Sequence, residues 1–276
     1  MKNLISLNDL TMDELYEIFE KADFYKERPF ERTMNNKCIV MFFPETSIRS
    51  RITFEQAICN MGGNSILFPS ETLVKKEEIR DVIGYLNNWA DCIVVRSNNI
   101  NVIEEISQYS NCPVINGLSD INHPCEIIAD LYSLNKINAN IFDAQFLYVG
   151  PKGNIGMAWY EASEAFHISY KQCCPQGYEI EGVIVENCLE KAISETDVLI
   201  TDSLSKDLLK EFKNYKITAE LLNKGKKNLL FNPCPPFYRG EEVSEDAILH
   251  PAFVGYSFKK HLLNVQQAII DYCINK

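Results

Sequence analysis

Residues Ser47 to Arg51 gather two hydroxyl and two guanidinium groups at the point where an apolar periodic run begins. The surrounding stretch, FPETSIRSRITFEQA (residues 43–57), is typical of a strand that runs into an amphipathic helix. The first turn of a helix exposes unpaired N–H groups and the positive end of the helix dipole. Serine and arginine donors added there form an anion site, most naturally for phosphate. A capped helix that carries surface arginines is the alternative interpretation.

Two series of short apolar segments, separated by helix-like segments, are expected to position these residues. The first series comprises residues 37–43, 64–68, 91–96 and 112–116, and the second comprises residues 145–150, 168–174, 197–201 and 228–233. This alternation predicts an α/β fold of two domains, each a parallel β-sheet flanked by helices.

The polar, Asn-rich stretch 135–144 is the best domain boundary, so we expect a first domain at 1–136 and a second at 137–259. The last run, residues 260–276, has apolar residues at helical spacing. We expect it to form a helix that packs back on the first domain.

Polar side chains follow the predicted strands of both series. Ser47 to Arg51, Arg96 and the loop before His123 follow strands of the first series, and the segments GPKGN, TDS and NPCPP follow strands of the second. Ligands of parallel sheets bind beyond the carboxyl ends of the strands. We therefore expect a ligand site in a cleft between the two domains.

The composition is that of an ordinary globular protein: 276 residues, 46% hydrophobic and 24% charged. The 27 Lys and Arg residues against 38 Asp and Glu give a net charge of −11, which provides no electrostatic basis for binding nucleic acid or an anionic membrane. The first 25 residues resemble neither a signal peptide nor a membrane span. We therefore expect a cytoplasmic protein.

The ten cysteines are scattered without a Cys-x-x-Cys pair, and the four histidines lie far apart in the sequence. This distribution argues against a disulfide framework and against a metal site built from neighbouring residues. We expect no metal and no cofactor, and we interpret most of the cysteines as small buried hydrophobic residues.

Three motifs together resemble the aspartate and ornithine carbamoyltransferase family. FPETSIRSRITFE resembles the family's phosphate loop, Ser-Thr-Arg-Thr-Arg followed by Ser-Phe-Glu. HPCEIIADLYSL (residues 123–134) resembles its His-Pro-x-Gln and Ala-Asp-Leu helix, and NPCPPF (residues 232–237) resembles its His-Pro-Leu-Pro or His-Cys-Leu-Pro turn. Three further segments, MGGNSILF, KKEEIRDV and DCIVVR, match the family in the same order. The resemblance therefore extends over nearly the whole chain.

The resemblance implies transfer of the carbamoyl group from carbamoyl phosphate to an amine of an amino acid, with release of phosphate. Ser50, Arg96 and His123 would be catalytic, pointing donors at the carbonyl oxygen. The implied carbamoyl phosphate-binding set also includes Ser47, Ile48, Arg49, Lys75, Lys76, Glu126, Pro233 and Cys234. By the resemblance, one of the two lysines comes from a neighbouring subunit, which implies a homotrimer.

The carbamoyl phosphate motifs depart from the family's pattern at three positions. Ile48 replaces a threonine, which removes a hydroxyl but keeps the backbone N–H, and Asn232 stands where an arginine or histidine is expected. Glu126 replaces a glutamine. A carboxylate accepts hydrogen bonds but cannot donate them, and it adds charge near a dianion. Its pKa is raised, or another cation compensates, or the donor site has changed.

The acceptor side is expected at four residues of the second domain. Asn154 in GPKGNIG matches an asparagine that binds the amino-acid end of ornithine in the family, and Asp202 is retained while the family's Ser-Met-Gly is lost. Ser203 stands where the aspartate enzymes carry an arginine, and Lys206 is a candidate partner for a carboxylate. These residues predict an acceptor with a second ammonium group, such as ornithine or another diamino acid.

Two other functions and several structural roles are compatible with the same residues. LYVGPKGNIGMAWYEA resembles a dinucleotide fingerprint, but Pro151 occupies the first glycine position and no clear acid ends the next strand. A non-catalytic descendant of the carbamoyltransferase fold is kept open by Ile48 and Glu126. Arg51 is interpreted as bracing the loop through an ion pair, and Asn154 and Asp202 are also typical turn and cap residues.

Overall fold

The segments expected to be strands form two parallel β-sheets in a computed structural model that describes residues 1–74 and 76–276 of the chain. The strands are β1 (Cys38–Phe43), β2 (Asn64–Pro69), β3 (Cys92–Arg96), β4 (Val114–Leu118), β5 (Gln145–Val149), β6 (Ser169–Cys173), β7 (Ile184–Val185), β8 (Val198–Thr201) and β9 (Leu230–Pro233). Eight of the nine agree with the prediction within two residues at each end. The two-residue strand β7 was not predicted, because so short a segment carries no periodicity.

The α-helices are α1 (Met12–Glu27), α2 (Arg49–Asn60), α3 (Ile79–Leu86), α4 (Ile100–Tyr109), α5 (Pro124–Ile137), α6 (Asn154–Phe166), α7 (Leu189–Ser194), α8 (Ala219–Leu222) and α9 (Leu262–Asn275). Short 3-10 helices lie at Leu7–Asp9, Ser70–Val74, Ile141–Asp143, Lys213–Tyr215, Ala247–Leu249 and Tyr256–His261. Helices alternate with strands in both halves of the chain, so the predicted α/β fold class is confirmed.

The chain divides into two units. The first unit comprises Met1–Ile137 and Lys259–Lys276, and the second comprises Asn138–Phe258. The first contains a four-stranded sheet in the order β2-β1-β3-β4, and the second contains a five-stranded sheet in the order β7-β6-β5-β8-β9.

The central strands of the first sheet, β1 and β3, are buried along almost their whole length. Their sequences, CIVMFF and CIVVR, are continuous apolar runs rather than alternating ones. Such runs are typical of parallel strands covered by helices on both faces. The edge strand β2 is largely exposed.

The C-terminal helix α9 packs against α1 in the first unit, as the sequence predicted. The Tyr25 hydroxyl donates to Asp271 Oδ2 at 2.9 Å, and the Tyr272 hydroxyl donates to Glu14 Oε1 at 2.6 Å. Ile269, on the same helix, is fully buried. Apolar burial and these hydrogen bonds together fix the end of the chain onto its first helix.

The second sheet aligns three strand ends at one level. Val149 of β5 pairs with Thr201 of β8, and Thr201 pairs with Pro233 of β9. The helix that follows β5 approaches its sheet closely at Gly156, where a Cβ atom would lie 2.6 Å from the Tyr148 ring. The residues that follow these three strands therefore share one edge of the sheet.

None of the described helices is both long and apolar enough to cross a bilayer. All ten cysteines are unpaired thiols, and six of them are buried. In the described part of the chain, no three His, Cys, Asp or Glu side chains are grouped closely enough to hold a metal ion.

Candidate active site

The start of α2 in the first unit has an uncapped N-terminus. Ile48 occupies the N-cap position, and its side chain is 68% exposed and makes no capping hydrogen bond. The first bond of the helix runs from the Ile52 N–H to the Ile48 carbonyl, at 3.1 Å. The N–H groups of residues 49–51 therefore lack partners within the helix, and the helix dipole favours an anion beside them.

Arg96, the last residue of β3, lies beside the two serines of this loop. Its Nη1 atom donates to Ser47 Oγ and to Ser50 Oγ, at 3.3 Å each, and both serines are buried. Three residues that the sequence predicted for one site are thus in contact. A guanidinium and two hydroxyls beside a helix N-terminus form a set of donors suited to an oxyanion.

A bulge directs the Arg96 side chain. The pairing of β3 with β4 shifts by one residue between Val95 and Arg96, and such bulges turn a side chain out of the regular ladder. Gly117 is the extra residue on β4. A Cβ atom there would lie 3.2 Å from the Phe43 ring and 3.3 Å from the Val95 carbonyl oxygen, so a larger residue would fit only if these neighbours moved by a few tenths of an ångström.

His123 immediately precedes α5 and is held by the loop that follows β4. Its carbonyl accepts the Ile127 N–H at 3.2 Å, which makes His123 the first turn's capping residue. The preceding residue, Asn122, is fixed by buried side chains, because its Oδ1 atom accepts from Asn116 Nδ2 at 2.6 Å and from Ser119 Oγ at 2.8 Å. These contacts leave His123 little freedom to move its backbone.

The His123 imidazole is buried and neutral at physiological pH. Burial is the main cause of a pKa lowered to about 4; the Glu126 carboxylate opposes this shift, and the cations Arg96 and Lys259 favour it. Its Nδ1 atom is buried and makes no hydrogen bond to any residue that the structure describes. A buried polar atom in this state is available to a ligand or a water molecule.

Glu126 is one helical turn beyond His123 and pairs with a cation whose identity the sequence did not predict. Lys259 Nζ lies 2.5 Å from Glu126 Oε1 and 2.6 Å from Asp130 Oδ1. Burial alone would raise the pKa of Glu126, but the charge of Lys259 holds it below the usual value. Of the three explanations for a carboxylate at position 126, the structure favours a compensating cation.

One signal in the sequence could have indicated that cation. Glu126 and Asp130 are four residues apart, so they share one face of an otherwise apolar helix. Buried carboxylates require a cationic partner. The adjacent lysines of YSFKKH gave no indication of which one faces α5.

The remaining predicted residues of the first unit lie at the surface or at its margin. Arg51 Nε is 2.8 Å from Glu55 Oε1, one turn along α2, so Arg51 does form an ion pair, but within the helix rather than with the loop. Arg49 is exposed, and its charge contributes to the lowered pKa of Glu126. Lys76 is exposed, and Lys75 lies outside the described residues.

In the second unit, the predicted acceptor residues gather at the carboxyl edge of the sheet. Asp202 and Ser203 follow β8, and Asn154 is the first residue of α6, the helix after β5. Pro233 ends β9, and the Cys234 N–H donates to the Thr201 carbonyl at 2.9 Å. Two further positions are Asn232, buried within β9, and Lys206, exposed beyond Ser203.

Asp202 titrates close to physiological pH. Burial is the main cause of a pKa raised to about 6; the Ser203 N–H, which donates to Oδ1 at 2.8 Å, opposes this shift, and the nearby Glu242 carboxylate favours it. Glu242 was not predicted from the sequence. It is buried and accepts the Tyr238 N–H at 2.6 Å, but neither glutamate of RGEEV is distinguished by its spacing.

The dinucleotide alternative gains no support from this edge. Gly153 precedes α6 in an extended conformation, and Pro151 stands in the turn where a fingerprint requires its first glycine. Strand β6 ends at Cys173 and is followed by Cys174, so no carboxylate is available there for a ribose.

Comparisons with known proteins match both units of the chain to the same protein family. The carbamoyl phosphate-binding domain of the aspartate/ornithine carbamoyltransferases matches residues 2–136, and their Asp/Orn binding domain matches residues 142–273. The ornithine carbamoyltransferase of Methylococcus capsulatus is 30% identical over 294 residues, covering 99% of this chain and 98% of that protein. That of Archaeoglobus fulgidus is 29% identical over 302 residues, covering 100% and 98%. The solved ornithine carbamoyltransferase from Pyrococcus furiosus has a TM-score of 0.91 at 26% identity, covering 99% of this chain and 97% of that one.

The neutral state of His123 can be tested directly. We expect its ring resonances to titrate with a pKa of about 4, in NMR spectra assigned with His123→Asn. Arg96→Met removes one of the nearby cations and should raise this pKa. Because the unfolded chain takes up the proton first, folding stability should fall as the pH drops from about 6.5 towards 4. A wild-type pKa at the ordinary histidine value would contradict the assignment.

Proposed function

Because the chain belongs to the aspartate/ornithine carbamoyltransferase family, we propose that it transfers the carbamoyl group of carbamoyl phosphate to the side-chain amine of ornithine. The similar relatives named above are ornithine carbamoyltransferases. The observation that carries the proposal is the contact of Arg96 with Ser47 and Ser50 at the uncapped start of α2.

The first unit binds carbamoyl phosphate in this proposal. The phosphate dianion takes the N–H groups at the start of α2, the Arg49 guanidinium and the hydroxyls of Ser47 and Ser50. Ile48 contributes its backbone N–H, since its side chain points away into solvent. A lysine, Lys75 or Lys76, completes the phosphate site from a neighbouring subunit.

The carbonyl group of carbamoyl phosphate is polarised by Ser50, Arg96 and His123. Attack by the amine places negative charge on the carbonyl oxygen, where these donors stabilise it. Removing one preorganised donor of this kind typically costs about 3–4 kcal/mol of transition-state stabilisation. A neutral imidazole suits this role, because it donates a hydrogen bond without an extra cation beside the substrate.

The transfer needs no covalent enzyme intermediate. The lone pair of the neutral amine forms a bond to the carbonyl carbon, the carbon–oxygen bond to phosphate then breaks, and the departing phosphate accepts the proton of the amine. Holding both substrates in register can contribute about 7–11 kcal/mol to the rate. The Pro233 and Cys234 carbonyls are assigned to the amide protons of the carbamoyl group, and Glu126 is assigned to the same group.

The second unit binds ornithine. Its α-ammonium group pairs with Asp202, a partly buried carboxylate whose neighbour Glu242 adds negative charge. Asn154 and Ser203 provide polar groups for the amino-acid end, and Lys206 is assigned to the carboxylate. Aspartate has no second ammonium group to pair with Asp202, so it should be a poor acceptor.

The proposal includes a homotrimer in the cytosol. Ile66 and Phe68 are exposed on the edge strand β2, and Tyr85 and Trp89 are exposed at and just beyond the end of α3. An exposed apolar surface of this kind is typical of a subunit interface. The ten unpaired thiols support a reducing compartment.

An acceptor panel tests the reaction. We expect phosphate release from carbamoyl phosphate with ornithine, and much less with aspartate, putrescine or no acceptor. Arg49→Ala should lower the rate about 100-fold or more, because it removes a donor to the phosphate. Arg51→Ala is the matched control and should change it only a few-fold, since its ion pair is exposed. Folded protein that binds carbamoyl phosphate by calorimetry but carbamoylates no amine would instead indicate a non-catalytic descendant.

The role of Asp202 predicts a pH dependence. Above a pKa of about 6 the carboxylate is charged and pairs with the ammonium group of ornithine, and below it this interaction is lost. The advantage of wild type over Asp202→Asn in kcat/KM for ornithine should therefore shrink as the pH falls through about 6. Deprotonation of the attacking amine affects both proteins equally, so the ratio isolates Asp202. A ratio that stays constant with pH would count against this assignment.

The shared site predicts complementation between inactive subunits. Arg49→Ala and the double variant Lys75→Ala, Lys76→Ala should each be inactive, because each removes a phosphate ligand. Co-expression of the two should restore activity, since mixed trimers contain sites with an intact arginine from one subunit and intact lysines from another. No recovery in mixed trimers, verified by mass spectrometry, would show that the lysines are not shared.

A further inference from the structure

The pairing of Glu126 and Asp130 with Lys259 goes beyond what the family resemblance implies, because the motif that this chain resembles has a glutamine where Glu126 stands. We infer that Lys259 is a positioning residue which neutralises Glu126, so that this carboxylate binds the amide group of carbamoyl phosphate without repelling the phosphate. This inference rests on the proposed function and deepens it.

Lys259 bridges two carboxylates on one face of α5. Its Nζ atom is 2.5 Å from Glu126 Oε1 and 2.6 Å from Asp130 Oδ1. The side chains of Glu126 and Asp130 are 9% and 4% exposed, and that of Lys259 is 22% exposed. Breaking a buried ion pair by removing one partner leaves an uncompensated charge.

The two oxygens of Glu126 have different surroundings. Oε1 is held by Lys259, whereas Oε2 lies on the side of His123, 4.0 Å from its Nε2 atom. That separation is too long for a hydrogen bond. Lys259 thus fixes the carboxylate by one oxygen and turns the other towards the residue assigned to the carbonyl of carbamoyl phosphate.

The charges that face Glu126 come from three elements. His123 precedes α5 and is neutral, Asp130 follows on the same helix, Arg49 begins α2, and Lys259 approaches from the segment before α9. A glutamine at position 126 would need no cation. A carboxylate there, close to a phosphate dianion, needs one.

The carboxylate has a chemical use once it is neutralised. The amide of carbamoyl phosphate carries two N–H donors, and a hydrogen bond from such a donor to a charged oxygen is stronger than one to an amide oxygen. A glutamine also carries donors of its own, which can be turned towards a ligand by rotation of the side chain. A glutamine side chain could therefore turn either its oxygen or its NH2 group towards the ligand, whereas Glu126 held by Lys259 offers only an acceptor.

A double-mutant cycle tests the inference by calorimetric binding of carbamoyl phosphate without an acceptor. Lys259→Met should weaken binding about tenfold or more near neutral pH, because Glu126 is left charged and unpaired. In the Glu126→Gln background the same substitution should weaken it about twofold or less, since the charge at position 126 is gone and only Asp130, one helical turn further along α5, loses its cation. Lys259→Arg should preserve the affinity, and the control Lys260→Met, at the exposed neighbouring lysine, should leave it unchanged.

The pH dependence provides a readout that a purely structural lysine would not change. In Lys259→Met, binding of carbamoyl phosphate should recover relative to wild type as the pH is lowered, because protonation removes the Glu126 charge. The Glu126→Gln, Lys259→Met double variant should show no such recovery. Equal losses in both backgrounds, or no recovery at low pH, would overturn the inference.

Two controls distinguish a failure of this inference from a failure to fold and from a failure of the proposed function. Asp130→Asn in every protein of the cycle removes the second buried carboxylate, so the comparison can be made even where Lys259→Met alone does not fold. Wild-type protein that does not bind carbamoyl phosphate would refute the proposed function itself. Wild type that binds, with equal losses in the two backgrounds, would refute only the role of Lys259.

Discussion

The bridge from Lys259 to the two carboxylates of α5 connects the end of the chain to the helix that follows His123. Buried carboxylates require a paired cation, so this helix can keep its acids only if the segment before α9 is in place. Helix α9 is itself fixed to α1 through Tyr25 and Asp271. The charge balance at the candidate site therefore depends on contacts between residues more than a hundred positions apart in the sequence.

The fold could be predicted from the sequence because its central strands are continuous apolar runs between amphipathic helices. The rule that ligands lie beyond the carboxyl ends of parallel strands also predicted that Ser50, Arg96 and His123 lie at one edge of the first sheet. Their chemical roles came from the family resemblance, not from the spacing.

The missed features all depend on tertiary pairing. The bulge before Arg96 arises from the register between two strands, and Lys259 and Glu242 are charged residues in segments without clear periodicity. From the sequence alone, a charged side chain is normally expected to be solvated unless its partner is known. The acids at 126 and 130 could have indicated a missing cation, but only the packing of the C-terminal segment identified it.

The two units divide the charges of the proposed substrates between them. The first offers a helix N-terminus and two arginines for a dianion, and the second offers Asp202 and Glu242 for a cation. With a net charge of −11, the protein as a whole favours the approach of a cationic acceptor. The phosphate site must then overcome an unfavourable average field through local donors. A bare carboxylate at position 126 would oppose those donors at close range, and the charge of Lys259, 2.5 Å from Glu126 Oε1, offsets that opposition.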